Sequence, residues 1–288
     1  MILPNWKRSV PLPSAVRLAW HESEPFPREV PLNDLYGSLA FPPTGGPLPY
    51  LVCNMVMTQN GEATVGGKAS TIGTSVDGVV LTRVRAAVDA VVTGSGTLLA
   101  DDVTAVLPER EARRRVEAGR PARLLAVVLA TTLDWGPDVL SRKFFSRPGF
   151  DKLVVTGDRA RAQDVERLRG LGVDVARVQS GPDGRPDPAA ALGLLAARGV
   201  RAAVCEGGPH LLPSFFRAAL VGEYFLTTSP MVTGEPGVPR PLQGDVTMGR
   251  GVVLLSRVSR YEHEFQNPGT GARLVEAFDR FRVIYPVP

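Results

Sequence analysis

Three short stretches carry residue types suited to holding a phosphorylated, nucleotide-sized ligand: Cys205-Glu206-Gly207-Gly208-Pro209, Val92-Thr93-Gly94-Ser95-Gly96-Thr97 and Val155-Thr156-Gly157-Asp158-Arg159. Glycine lets a ligand come close to the main chain, and a turn that opens into a helix leaves amides pointing outward. Gly207 and Gly208 are therefore a natural seat for a phosphate or pyrophosphate. Pro209 suits the first helical position, where its missing N–H costs nothing, and the apolar spacing predicts a helix through Phe215, Phe216 and Leu220. One such turn is equally consistent with plain chain reversal. Three at strand ends point to a ligand, because open α/β sheets bind ligands beyond the carboxyl ends of their strands.

Other chemistries fit less well. No Gly-x-Gly-x-x-Gly followed by an acid occurs, which disfavours a standard dinucleotide domain, and no Gly-x-x-x-x-Gly-Lys-Ser/Thr element supports a phosphate-hydrolysing loop. Gly94-Ser95-Gly96 lacks the flanks of a nucleophile elbow. The three histidines, His21, His210 and His263, do not suggest a base. His210 follows the glycine pair and faces either a ligand or solvent. Asp101 either caps a short helix or serves the site. With no Cys-x-x-Cys pair, no metal is expected.

The elements that must position these residues alternate. Tyr50–Met57 reads as a strand ended by an Asn60-Gly61 turn, and Gly66-Gly67-Lys68 as a loop. Thr74–Asp77 resembles a capping box before a helix carrying Val80, Leu81, Val84 and Val88. Asp89–Thr93 is a strand running into a short helical segment with Asp101 and Asp102. Strands are expected at Leu124–Ala130, Lys152–Thr156, Val173–Val178 and Val200–Cys205, with helices to about Leu171 and over Pro188–Ala197. The last part changes character, with strands at Glu223–Met231, Gly251–Phe265 and Phe281–Val287. The pattern is an α/β fold with a mixed sheet and antiparallel C-terminal strands. Residues 1–49 are rich in proline, which disfavours regular helix and sheet. Trp6, Trp20, Leu35, Tyr36 and Phe41 suggest an extension that docks on a body spanning residues 50–288.

At 288 residues, 44% hydrophobic and 22% charged, the chain has ample material for a core. No run of about 18 apolar residues is present, so no membrane partner is expected. The N-terminus reads as lacking a signal peptide, so a cytoplasmic protein is expected. The net charge is +4, and the arginines between Pro108 and Arg123 are interleaved with Glu109, Glu111 and Glu117. That fits a solvated, salt-bridged helix rather than a nucleic-acid patch, since no aromatic side chains lie among them. Cys53 and Cys205 fall in expected strands and read as small buried hydrophobes.

Three blocks together resemble the reductase domain of the bifunctional deaminase–reductase of riboflavin biosynthesis, and most closely the stand-alone pyrimidine reductase family. They are Asn54-Met-Val-Met-Thr58-Gln-Asn60-Gly61, Ala90-Val-Val-Thr-Gly94-Ser-Gly96-Thr97-Leu-Leu-Ala-Asp101-Asp102 and Val204-Cys-Glu206-Gly207-Gly208-Pro209-His-Leu-Leu212. The resemblance implies a dihydrofolate reductase-like α/β fold: a mixed, mostly parallel central sheet flanked by helices, with antiparallel C-terminal strands. It also implies NADPH as cofactor, a homodimer, and hydride transfer to the ribosyl imine of a 5-phosphoribosylamino-pyrimidine. Carried over by position, Gly94, Ser95, Gly96, Thr97 and Asp101 lie beside the nicotinamide half, and Gly207, Gly208 and Leu211 beside the pyrophosphate. Thr156 and Arg159 meet the adenosine end, with Arg159 expected on the 2′-phosphate. Asn54, Thr58, Asn60 and Glu206 face the small-molecule substrate, and Asp101 and Glu206 are the candidate catalytic residues.

The departures bear on the substrate. The family pattern Ser-x-Asp-Gly-Lys is here Thr58-Gln59-Asn60-Gly61-Glu62, and no proline follows Asp102. A different heterocyclic or carbonyl substrate, or NADPH binding without turnover, stands as the alternative. The sequence contains no His-x-Glu with Pro-Cys-x-x-Cys, so zinc deamination is not expected.

Overall fold

The computed structural model describes residues 9–42, 46–101, 103–208, 210–244 and 252–286. The chain divides into two compact units. One comprises Met1–Leu39, Val52–Val84 and Val221–Pro288, the other Ala40–Leu51 and Arg85–Leu220.

In the first unit β1 (Ala15–His21) and β2 (Arg28–Pro31) form an antiparallel pair. Proline density had argued against regular structure here. Between the prolines, Ala15–His21 is an unbroken segment that finds a partner strand, so long-range pairing overrides the local bias. Most of β3 (Tyr50–Thr58) and of α1 (Ser75–Ala86) follow, and then β9 (Val221–Ser229), β10 (Leu254–Gln266) and β11 (Arg273–Ile284). β1 pairs with β10, β10 with β11 and β11 with β9, all antiparallel. The strand expected at Phe281–Val287 thus begins earlier, at Arg273. Asn267 closes the hairpin: its Oδ1 accepts from the Gly269 and Thr270 amides at 2.9 and 3.0 Å. Two long strands on one tight turn were read as separate pieces because charged residues interrupt the apolar run. The strand expected at Gly251–Phe265 runs from Leu254 to Gln266, and Gly251 lies outside the described residues.

The start of α1 departs from a local capping box. The Thr74 hydroxyl accepts from the Val76 amide at 3.2 Å, but the Thr74 amide donates to the buried Glu276 of β11 at 2.9 Å. A carboxylate from a distant strand thus satisfies one orphan donor of the helix. The helix ends at Ala86, short of Val88. Tyr36 packs edge-on against Phe225 and Tyr261, with ring centroids 5.4 and 5.1 Å apart.

The second unit is built on parallel strands: β4 (Ala90–Gly94), β5 (Leu125–Ala130), β6 (Asp151–Thr156), β7 (Val175–Arg177) and β8 (Ala202–Cys205). β8 pairs with β4, β4 with β5, β5 with β6 and β6 with β7. The runs of Val, Leu and Ala that identified these strands are what a sheet buried on both faces requires. Between them lie α2 (Ser95–Ala100), α3 (Glu109–Glu117), α4 (Lys143–Ser146), α5 (Ala162–Gly170), α6 (Pro188–Ala197) and α7 (Leu211–Arg217). The parallel, helix-flanked strands and the antiparallel C-terminal strands are the mixed α/β fold expected from the sequence.

Three local expectations are revised. The helix expected to open at Pro209 is α7; Pro209 lies outside the described residues, and the helix stops before Leu220 because Ala219 takes a left-handed φ of 55°. β7 is shorter than Val173–Val178, since the Val173 amide still closes α5 on the Leu168 carbonyl at 3.0 Å. The arginine helix is not wholly solvated. Arg115 is 2% exposed and donates to the Pro121, Ala86 and Val88 carbonyls. Cys53 and Cys205 are buried free thiols.

Candidate functional site

In the second unit the glycine turns after β4 and β8 touch. The Gly94 amide donates to the Gly207 carbonyl at 3.2 Å. Gly207 and Gly208 have φ of +109° and +111°, a region for which only glycine is suited. A Cβ on Gly208 would fall 3.1 Å from Leu211 Cβ and 3.4 Å from Gly94 Cα; one on Gly94 would lie 3.6 Å from Gly208 Cα. Gly94, Gly207, Gly208 and Leu211, assigned from separate stretches, thus form one close-packed patch of backbone at two neighbouring strand ends. The Leu211 and Leu212 amides both donate to the Gly208 carbonyl, at 2.9 and 3.1 Å. By contrast a Cβ on Gly96 would meet nothing within 4 Å. Asp101 closes α2, its amide donating to the Thr97 carbonyl at 2.9 Å, and it is half-buried. Asp102 lies outside the described residues.

Glu206 has a partner the sequence did not disclose. Arg85 Nε and Nη2 donate to its two carboxylate oxygens, each at 2.6 Å, a bidentate pair with side chains only 14% and 9% exposed. Burial opposes the charge on Arg85, but the Glu206 carboxylate outweighs it and raises the guanidinium pKa. Val91, Thr93, Val103, Ala126 and Phe144 border this pair. Glu206 therefore anchors the strand that ends in the glycine turn. No sequence signal links it to a residue 121 positions earlier.

At the other strand ends, the Thr156 hydroxyl is fully buried and donates to the Ala130 carbonyl at 2.9 Å, so it offers no side-chain group to a ligand in this conformation. Arg159 is exposed, with its guanidinium over Gly184. Arg185, also missed from sequence, donates to the His210 carbonyl at 3.4 Å.

Apart from Glu206, the expected substrate residues lie in the first unit. Thr58 is buried, donates to Asn60 Oδ1 at 2.7 Å and accepts from the Glu62 amide at 3.0 Å. Asn60 Nδ2 donates to Glu62 Oε1 at 3.1 Å and to the Thr233 carbonyl at 2.7 Å, tying the 58–62 turn to the segment after β9. Both side chains are engaged in this loop. Asn54 differs: it is 9% exposed and its Oδ1 is buried with no hydrogen-bond partner. Such an atom is costly unless something supplies a donor. Among the described residues no group of three or more His, Cys, Asp or Glu could hold a metal, and no helix is long and apolar enough to cross a membrane.

Parallel strands with glycine turns clustered at their carboxyl ends, together with antiparallel C-terminal strands, define a dihydrofolate reductase-like α/β protein. Residues 49–256 match the model of the RibD C-terminal domain, and the chain belongs to that family of riboflavin-pathway reductases. Membership makes it an oxidoreductase of a family that uses a nicotinamide cofactor.

Solved structures share the fold. A pyrimidine reductase-like protein from Corynebacterium diphtheriae superposes with a TM-score of 0.65 at 24% identity, over 82% of this chain and 92% of that one. Acinetobacter baumannii RibD gives 0.60 at 18% identity, over 83% of this chain and 58% of that one. The Thermotoga maritima diaminohydroxyphosphoribosylaminopyrimidine deaminase/5-amino-6-(5-phosphoribosylamino)uracil reductase gives 0.57 at 17% identity, over 82% and 57%. The chain thus spans just over half of each of these two longer proteins.

Proposed function

We propose that this protein is an NADPH-dependent reductase that converts the ribosyl imine of a 5-phosphoribosylamino-pyrimidine to the ribityl product. The observation that carries the reading is the contact of the two glycine turns at neighbouring strand ends, where Gly94 meets Gly207 and Gly208 and a Cβ on Gly94 or Gly208 would press into the other turn. It fits a pyrophosphate, which needs close approach to the main chain. The orphaned Asn54 Oδ1 fits a heterocycle that donates a hydrogen bond from an exocyclic amino group or ring N–H.

When bound, the dihydronicotinamide supplies the hydride. The protein's own task is to bind and orient. Gly94, Ser95, Gly96 and Thr97 line the nicotinamide half, while Gly207, Gly208 and Leu211 face the pyrophosphate. Asp101, at the end of α2, accepts hydrogen bonds from the opened sugar. Glu206, held by two guanidinium hydrogen bonds, can only accept, so it orients rather than protonates. Holding donor and acceptor carbons in contact accounts for several kcal/mol of barrier, about 7 or more in well-oriented cases. The protein acts as a cytoplasmic homodimer.

Glu62 favours a second reading. It stands where the family pattern has lysine, and it accepts from Asn60 at 3.1 Å. A carboxylate there disfavours a sugar phosphate and suits an unphosphorylated heterocyclic or carbonyl substrate. NADPH oxidation with the phosphorylated aminopyrimidine and with its dephosphorylated counterpart tests both readings. Turnover of the first alone supports the main reading, and turnover of the second alone replaces it. Absence of both, with NADPH still bound, indicates a cofactor-binding protein without this activity.

A further inference from the structure

A cleft of about 540 Å³ opens in the second unit at the amino ends of β6 and β7, the end of the sheet opposite the glycine turns. β6 has six residues, so roughly 16 Å of strand separates this cleft from the loop at its carboxyl end. The volume falls within the range of small-molecule sites. Leu140, Phe145, Phe150, Leu171 and Val173 supply apolar wall, and Lys152 supplies an ammonium group.

These walls are held in place. Phe145 packs against Trp135 and Phe144, with ring centroids 6.2 and 4.9 Å away, and Phe144 in turn packs on Phe150 at 6.2 Å. The Leu171–Val173 wall comes from the end of α5, which closes in a Schellman motif. The Gly172 amide donates to the Arg169 carbonyl at 2.9 Å and the Val173 amide to the Leu168 carbonyl at 3.0 Å, with Gly172 at a φ of +79°. Arg169 Nη2 donates to the Val175 carbonyl at 2.8 Å and ties this turn to β7. Leu171 is thereby held outward, an apolar side chain left 55% exposed.

The charge balance of the cleft selects its ligand. Lys152 Nζ donates to the Phe145 carbonyl at 3.0 Å and lies 5.2 Å from the centre of the Phe150 ring, so the head group is pinned against both aromatic residues. An ammonium has three donors, and this bond uses one. Lys152 has no carboxylate partner among the described residues. The two acids that border the cleft are already committed. Asp174 takes Arg198 Nη1 at 2.6 Å and Nη2 at 3.4 Å, and Asp151 lies 3.6 Å from Arg123. A ligand carboxylate therefore finds an ammonium with donors to spare. A second negative charge on the ligand would meet Asp151 and Asp174, which favours a monoanion over a phosphate dianion.

We propose that this cleft binds an aromatic monocarboxylate of one or two rings, with its ring against Phe145, Phe150 and Leu171 and its carboxylate on the Lys152 ammonium. The apolar walls supply contact area, and the single charge-assisted bond fixes orientation. The site is independent of the nucleotide reading of the glycine turns and gives the protein a second small-molecule ligand.

The test is calorimetric titration of the full chain with 2-naphthoate, its neutral counterpart 2-naphthalenemethanol and the dianion 2-naphthyl phosphate. Melting curves accompany each variant. Wild type should bind naphthoate saturably and more tightly than the other two. Lys152→Met should weaken naphthoate by roughly tenfold, as loss of a charge-assisted hydrogen bond does, and leave the alcohol unchanged. Lys152→Arg should restore part of the loss. Leu171→Asp, at a position too exposed to disturb folding, should weaken naphthoate and the alcohol together. Saturating NADPH should leave naphthoate affinity unchanged, because the cleft and the glycine turns lie at opposite ends of the sheet. Displacement of naphthoate by NADPH would put the probe in the nucleotide seat and overturn the proposal. So would tightest binding of the phosphate, or a Lys152→Met variant that keeps its naphthoate affinity or loses naphthoate and the alcohol equally. Absence of saturable naphthoate binding to wild type overturns the site and leaves the cofactor reading untouched.

Discussion

Replacing Gly208 by alanine strikes the contact on which the cofactor seat depends. At φ +111° an L-residue stores strain of about 1–3 kcal/mol. The added methyl would also stand 3.1 Å from Leu211 Cβ and 3.4 Å from the Gly94 main chain, where little can yield. Overpacking of that kind costs about 1–3 kcal/mol more. The sum, roughly 2–6 kcal/mol, corresponds to a melting temperature lower by about 4–12 °C for a chain of this size, at about 2 °C per kcal/mol. Thermal unfolding by circular dichroism measures it, and NADPH fluorescence titration of the same sample should show lost affinity. Gly96→Ala is the matched control, since its Cβ meets nothing within 4 Å. It should melt with the wild type and lose only cofactor affinity. Unchanged melting and unchanged affinity in Gly208→Ala would refute the claim that the two turns form one close-packed seat.

Glu206→Ala strands the Arg85 guanidinium in a largely buried setting and should lower stability by about 3–5 kcal/mol, as breaking buried pairs does. In urea denaturation, the double variant with Arg85→Ala should be less destabilised than the two single losses added together. Burial holds the His263 pKa below its ordinary value, so the folded protein keeps the ring neutral while the unfolded chain takes up the proton. Stability should therefore fall as pH drops through about 6.5 and below, and His263→Gln should flatten that slope in denaturant midpoints measured across the range. Asp187→Ala should cost about 1 kcal/mol in the same assay, because the Asp187 carboxylate caps α6 by accepting from the Ala190 amide at 2.8 Å.

The parts of this fold that announce themselves in sequence are those with local causes. The apolar runs of β4, β5, β6 and β8 are continuous because their strands are buried, and Gly207-Gly208 reads as a turn because nothing else adopts its backbone angles. Pro188 opens α6 where a proline belongs. What was not legible rests on distant pairing. Arg85 reaches Glu206 across 121 residues, Asn60 reaches Thr233 across 173, and Glu276 reaches Thr74 across 202. β1 was hidden for the same reason, since it pairs with β10 far along the chain, and β2 in turn pairs with β1. Arg185 carries no signal in the sequence, because its contact is with the His210 carbonyl 25 residues away.

The most direct test of the account is titration of the purified protein with NADPH and with NADH, followed by nicotinamide fluorescence. The account predicts saturable binding, tighter for NADPH than for NADH, and abolished for both by a bulky residue at Gly207. Failure of the wild type to bind either nucleotide would contradict it, leaving the glycine turns as structural elements of a fold that no longer carries its cofactor.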